Sequence, residues 1–178
     1  MPRLRTVVLD WGDTLMRNFP HFPGPMAHWP HVEAIPGAAE ALAAARRKYR
    51  VVVATNAADS HAALAWQALA RVGLHQHVDE VYTSRELGAR KPDPAFFRAV
   101  LAAEGCRPRE AAMVGDDYWA DVVGSARVGM WAIWYNPTGA SPPRHDARPS
   151  YQVIAHLLAL APALERIEAQ LASAEGPD

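Results

Sequence analysis

The chain reads as a parallel α/β protein, a three-layer αβα sandwich around a mostly parallel, Rossmann-like central sheet, in a single domain over residues 1–178. Three observations lead there. Short apolar runs such as Val7-Val8-Leu9 and Val51-Val52-Val53-Ala54 are too brief for helices and have no polar face, which marks strands covered on both sides. These runs alternate with helical patterns, the arrangement that right-handed crossovers between parallel strands produce. Several runs end abruptly in Asp, Thr or Asn, and ligands of such sheets bind beyond the carboxyl ends of the strands.

The first strand, Val7 to Leu9, ends at Asp10-Trp11-Gly12-Asp13-Thr14. Residues 16–36 contain Pro20, Pro23, Pro25, Pro30 and Pro36, so they propagate neither a helix nor a central strand, and a loop near the active site is expected. Ala38 to Ala45 reads as helix and Val51 to Ala54 as the second strand, ending at Thr55-Asn56. A helix from about Ser60 to Arg71 follows, then a short strand from His77 to Tyr82. Lys91-Pro92-Asp93-Pro94 opens a helix running to about Glu104, with proline in the first turn, where its missing amide donor is not needed. Ala111 to Val114 is the fourth strand, ending at Gly115-Asp116-Asp117. Asp117 to Val128 fits a helix and Met130 to Trp134 a fifth strand, followed by a second proline-rich segment from Asn136 to Pro149. Residues 151–174 are expected to close the chain as a helix with Val153, Ile154, Leu157, Leu158 and Leu160 on its apolar face.

Composition narrows the function classes. Half of the 178 residues are hydrophobic, enough to bury a substantial core. Eighteen basic and 19 acidic residues leave a formal charge of -1, so no whole-molecule field draws in nucleic acid or an anionic membrane. Nucleic acid is therefore disfavoured as a partner. No run reaches the roughly 18 apolar residues of a membrane span, and no membrane partner is expected. The single Cys106 rules out an internal disulfide and a cysteine-rich zinc site. The charged Arg3 and Arg5 stand where an apolar leader would, which makes a cytoplasmic location the expectation.

The strand ends, with one helix start, offer Asp10 and Asp13, Thr55 and Asn56, Lys91, and Asp116, Asp117 and Asp121. These residue types meet the needs of phosphoryl transfer. An aspartate attacking a phosphoryl group must have its own charge neutralised, which Mg²⁺ held by oxygen ligands achieves, and the equatorial oxygens need cationic and hydroxyl donors. Lys91 supplies fixed positive charge, the Thr55 hydroxyl and nearby amides supply neutral donors, and Asp10 and Asp116 can clasp the metal.

From Val7 to about Trp134 the sequence resembles the haloacid dehalogenase superfamily, in its type without a cap domain. Asp10-Trp11-Gly12-Asp13-Thr14 is similar to the nucleophile loop, Thr55-Asn56 to the second motif, and Lys91-Pro92-Asp93-Pro94 to the lysine motif. Gly115-Asp116-Asp117-Tyr118-Trp119-Ala120-Asp121 is similar to the acidic motif of form GDxxxxD. The four occur in order, each at an element boundary, and that context makes the match specific. The resemblance implies a Mg²⁺-dependent phosphatase for phosphate monoesters that forms an aspartyl-phosphate on Asp10. It implies that Asp10, Asp116 and the Gly12 carbonyl hold the metal, with Asp121 orienting it from behind. Thr55 and Asn56 would bind the phosphoryl group, and Lys91 would neutralise both it and the nucleophile.

Two departures matter. Family phosphatases usually carry a second aspartate two positions after the nucleophile, acting as acid toward the leaving group and base toward water. Here that position is Gly12, which offers no proton. Asp13 is the nearest catalytic substitute, and a loop histidine (His21, His28 or His31) is another. The departure leaves open a non-phosphatase member of dehalogenase or phosphonatase type, and a weakly catalytic phosphate-binding regulatory domain. The second departure is that residues 16–51 and 56–91 leave no room for an inserted cap. By resemblance, an open site goes with bulky substrates or with a neighbouring subunit as lid. The expected partners are thus a phosphorylated small molecule, an exposed phosphoester of a larger substrate, and a second copy of the chain. Phe19, Phe22 and Trp29 are expected to pack the proline-rich loop onto the domain.

Overall fold

The computed structural model describes residues 3–144 and 149–174; the ends of the expected domain and residues 145–148 of the second proline-rich segment lie outside the described residues. Six strands form one sheet: β1 (Thr6–Leu9), β2 (Arg50–Thr55), β3 (Glu80–Thr83), β4 (Ala111–Gly115), β5 (Trp131–Tyr135) and β6 (Gln152–Ile154). Their order is β3-β2-β1-β4-β5-β6, and every neighbouring pair is parallel, where a mostly parallel sheet was expected. Six helices accompany them: α1 (Ala38–Arg46), α2 (Ala62–Arg71), α3 (Ser84–Leu87), α4 (Pro94–Glu104), α5 (Gly124–Arg127) and α6 (Leu160–Ser173).

Alternation along the central strands divides the core. Val7, Leu9, Val51 and Val53 pack with apolar residues of α1, α2 and α6. Val8, Val52 and Ala54 pack on the other face with Phe96, Phe97, Val100 and Leu101 of α4. The apolar runs are continuous because both faces are covered. Helix α4 starts where Asp93 accepts a hydrogen bond from the Ala95 amide at 2.8 Å, with Pro94 in the first turn, and stops at Gly105 with φ 59°.

The closing segment differs from expectation. Residues 152–154 are not helical; they form β6 at the sheet edge beside β5, and α6 begins at Leu160. Ile154, Leu157 and Leu160 are buried as expected, whereas Val153 and Leu158 are 51% and 59% exposed. The cause is a change of period: Val153 and Ile154 alternate out and in on a strand. Pro162 then sits in the first turn of α6, whose buried stripe is Leu160, Ala163, Leu164, Ile167 and Leu171. The segment expected as one helix from Asp117 to Val128 is a π-helical turn, Tyr118–Val123, followed by α5.

The proline-rich loop is ordered by a short stem and a strap. Arg17 donates its amide to the Glu33 carbonyl and Ile35 to the Leu15 carbonyl, both at 2.9 Å, closing the loop at its base. From α2, the Arg71 guanidinium donates to the carbonyls of Ala27 at 3.0 Å and Trp29 at 2.6 Å. Trp29 donates to the Gly24 carbonyl at 2.9 Å, and the rings of Phe19, Phe22 and Trp29 meet edge-on or tilted. Among the described residues, no helix is long and apolar enough to cross a membrane.

Candidate active site

Register brings the motif ends to one edge of the sheet. Leu9 is level with Val53 of β2 and Val114 of β4, so Asp10, Thr55 and Asp116 emerge side by side. Asp10 is fixed by its amide, which donates to the Val114 carbonyl at 2.9 Å.

Lys91 comes from the loop before α4 and is only 3% exposed. Its ammonium donates to Asp10 Oδ1 at 2.7 Å, Asp121 Oδ1 at 2.7 Å and the Ala54 carbonyl at 2.9 Å. Three donors thus meet three acceptors, which is what lets a lysine charge exist in the interior. Burial opposes that charge, but Asp10 and Asp121 outweigh it and hold the lysine pKa above its ordinary value. The Asn56 side chain clasps the Lys91 main chain at both ends, accepting from its amide and donating to its carbonyl, each at 2.8 Å. Sequence reasoning missed this contact: the expected substrate ligand Asn56 has its amide committed to placing Lys91.

The remaining acids are held by the turns after β4. Asp121 is 1% exposed; its second oxygen accepts from the Asp117 amide at 3.1 Å. Gly115 makes this possible, because a Cβ there would overlap the Asp121 carboxylate. Asp116 accepts from the Thr14 hydroxyl at 3.0 Å, and its own amide donates back to that hydroxyl at 3.2 Å. Burial, and then the nearby Asp10 carboxylate, push Asp116 up to about 7. Burial also pushes Asp121 upward, against the pull of Lys91.

Oxygen atoms of Asp10, Asp116 and Asp121 lie within 4.8 Å of one another. One lysine cannot neutralise three carboxylates, and that surplus of negative charge adds to burial, the larger cause, in raising the Asp116 pKa. A hard divalent cation fits this all-oxygen donor set. Both oxygens of Asp121 are already engaged, so it is placed to support the cluster from behind.

Asp13 takes a different position. It is exposed, sits at φ 56°, and accepts from the Asn18 amide at 2.9 Å, so its carboxylate shapes the base of the proline-rich loop. A left-handed backbone is one that aspartate tolerates better than most residues. A cleft of about 270 Å³ opens beside Asp10, lined by Gly12, Thr55 and Asn56 from the strand ends and by Asn18, Met26 and Trp29 from the loop. Asp13 does not line it. The Thr55 hydroxyl accepts from the Ala57 amide at 3.2 Å at the cleft wall. Of the loop histidines, His21 meets the Phe19 ring edge-on and His31 meets it tilted, and His31 lies 3.7 Å from Glu33.

Fold and site together define a parallel α/β protein with a lysine-braced carboxylate centre at the strand ends. A family model described as haloacid dehalogenase-like hydrolase matches residues 29–129, more than half of the chain, and the protein belongs to this family of hydrolases. The chain is 39% identical over 119 residues to the phosphoserine phosphatase of Thermus thermophilus, covering 66% of this chain and 46% of that protein. It is 41% identical over 71 residues to the glyceraldehyde 3-phosphate phosphatase of Methanothermobacter thermautotrophicus, covering 40% of this chain and 31% of that one. The matches thus span less than half the length of these curated relatives. Among solved structures, an uncharacterized protein from Listeria monocytogenes superposes with a TM-score of 0.82 at 24% identity, over 93% of this chain and 99% of that one, which shows the shared fold. A haloacid dehalogenase-family phosphatase from Thermococcus onnurineus superposes with a TM-score of 0.63 at 30% identity, over 75% and 59%.

Proposed function

We propose that the protein is a phosphatase for phosphate monoesters, with Asp10 as nucleophile and Mg²⁺ as its metal. The observation that carries this reading is the Lys91 ammonium bridging Asp10 and Asp121 at 2.7 Å each, at the edge where Asp116 and Thr55 also emerge. The phosphatase names of the relatives from Thermus thermophilus and Methanothermobacter thermautotrophicus support the substrate class.

In this reading the Asp10 carboxylate attacks phosphorus, the ester oxygen leaves with the bond electrons, and an aspartyl-phosphate forms. Water then attacks phosphorus, releasing inorganic phosphate and restoring Asp10. Lys91 holds Asp10 in place through its 2.7 Å hydrogen bond, and with the Thr55 hydroxyl it stabilises charge on the transferred group; preorganised donors of this kind are each worth about 10²–10³-fold in rate. Asn56 is a positioning residue acting through Lys91. Asp10, Asp116 and the Gly12 carbonyl would hold Mg²⁺, which when bound would screen the negative charge of carboxylates and phosphoryl oxygens. Among the described residues, no domain is inserted between β1 and β2 or between β2 and α4, which supports a single capless domain with its site bordered by the proline-rich loop.

A second reading rests on Gly12: with no acid at that position, the protein forms the aspartyl-phosphate but releases it slowly, as a regulatory domain would. Steady-state hydrolysis of phenyl phosphate with and without Mg²⁺ tests the proposal. Turnover should require the metal and fall at least about a thousandfold in Asp10→Asn, on the scale of losing a nucleophile. An Asp10→Asn protein of undiminished activity overturns it.

A further inference from the structure

Phosphate binding accounts for one end of the cleft; the other end is formed by the turn that follows Thr55. Ala57, Ala58, Asp59 and Ser60 line it there, facing Met26 and Trp29 across the opening. Asp59 is exposed and has no ion-pair or hydrogen-bond partner among the described residues. Among the described residues it is, apart from Asp10, the ionisable side chain on the cleft wall, and none of the described lysines, arginines or histidines lines it. A carboxylate without a structural partner, beside the space a leaving group must occupy, repels any second anion there, and the low-dielectric wall strengthens the effect.

We propose that Asp59 is a specificity-determining residue: the site takes small phosphate monoesters whose leaving group is partly apolar and carries no second anionic group. This rests on the phosphatase reading above and names its substrate class. Three features argue together. The cleft of about 270 Å³ lies just below the ordinary range for ligand pockets, about 300–1,000 Å³. Met26 and Trp29 give it an apolar wall, and the strap from Arg71 to the Ala27 and Trp29 carbonyls holds that wall in place. Among the described residues the cleft lining offers no cation to compensate a second phosphate or a carboxylate, and Asp59 adds charge of the same sign.

The test uses two probes that cannot be hydrolysed, benzylphosphonate and 4-carboxybenzylphosphonate, titrated calorimetrically into the wild-type protein and Asp59→Asn with Mg²⁺ present. Wild type should bind the neutral probe about tenfold more tightly, and Asp59→Asn should bring the two affinities to within about threefold; tenfold is roughly 1.4 kcal/mol. Any penalty from the size of the added group is common to both proteins and drops out of the comparison. Added salt should narrow the wild-type preference and leave the Asp59→Asn ratio unmoved. Equal binding of the two probes by wild type, or a preference undiminished in Asp59→Asn, overturns the proposal. Neither measurement depends on turnover, so failure of the phosphatase reading, seen as no hydrolysis of phenyl phosphate, is a separate result.

Discussion

Lys91 donates to two carboxylates and a carbonyl from a position almost out of contact with water, so replacing it removes the partner of the buried Asp121 and of the half-buried Asp10. Lys91→Met should therefore destabilise the protein by about 3–5 kcal/mol in denaturant titrations, in addition to abolishing turnover. Gly12 makes the opposite kind of prediction. A Cβ built there meets no atom within 4 Å, so Gly12→Asp has open space at its Cβ and places an acid at the position where family phosphatases carry one. Its kcat on alkyl phosphates should rise at least about tenfold, more than on aryl phosphates, whose leaving groups need less protonation. An unchanged kcat would show that leaving-group protonation is not limiting. Asp116 carries the pH dependence. Its folded pKa of about 7 lies above the ordinary 3.8, so its contribution to stability is complete below about pH 4 and is lost as pH rises through 7. Mg²⁺ binding requires the ionised form, so the rise in Tm on adding Mg²⁺ should be larger at pH 8 than at pH 5.5. The three clustered acids, Asp10, Asp116 and Asp121, and the lysine were legible because motif spacing ties them to element ends. The clasp of Asn56 on Lys91 was not, since its partner is 35 residues away in sequence. Nor was the turn of Asp13 toward Asn18, which a left-handed backbone at residue 13 decides.

At the scale of elements, the proline-rich loop shows how an irregular segment becomes a fixed wall. Prolines remove helix and strand as options, and the stem at Arg17 and Ile35 together with the Arg71 strap supply the missing order. Arg71→Ala leaves the Ala27 and Trp29 carbonyls without their donor and should cost about 1–3 kcal/mol in denaturant titrations. Because Met26 and Trp29 line the cleft, the same variant should raise KM for phenyl phosphate more than it lowers kcat. A KM equal to wild type would detach this loop from substrate binding. The five strands read from apolar runs lie within a few residues of their expected places. β6 escaped because three residues carry too short a period to distinguish strand from helix, and the free edge of β5 decided the outcome.

Across the whole molecule, chain order explains why the site lies where it does. From β1 the chain builds outward on one side through β2 and β3, then crosses to build β4, β5 and β6 on the other. The strand order therefore reverses between β1 and β4, and crevices at such reversals are where parallel sheets bind ligands. Asp10 at the end of β1 and Asp116 at the end of β4 straddle that reversal, with Thr55 of β2 alongside. The central claim is that this crevice performs covalent phosphoryl transfer on Asp10. Rapid quenching of the protein with phenyl phosphate, borohydride reduction of any aspartyl-phosphate to homoserine, and peptide mass spectrometry test it directly. Homoserine at position 10, dependent on substrate and Mg²⁺, is the predicted result; steady hydrolysis with residue 10 left as aspartate at every time point would contradict it.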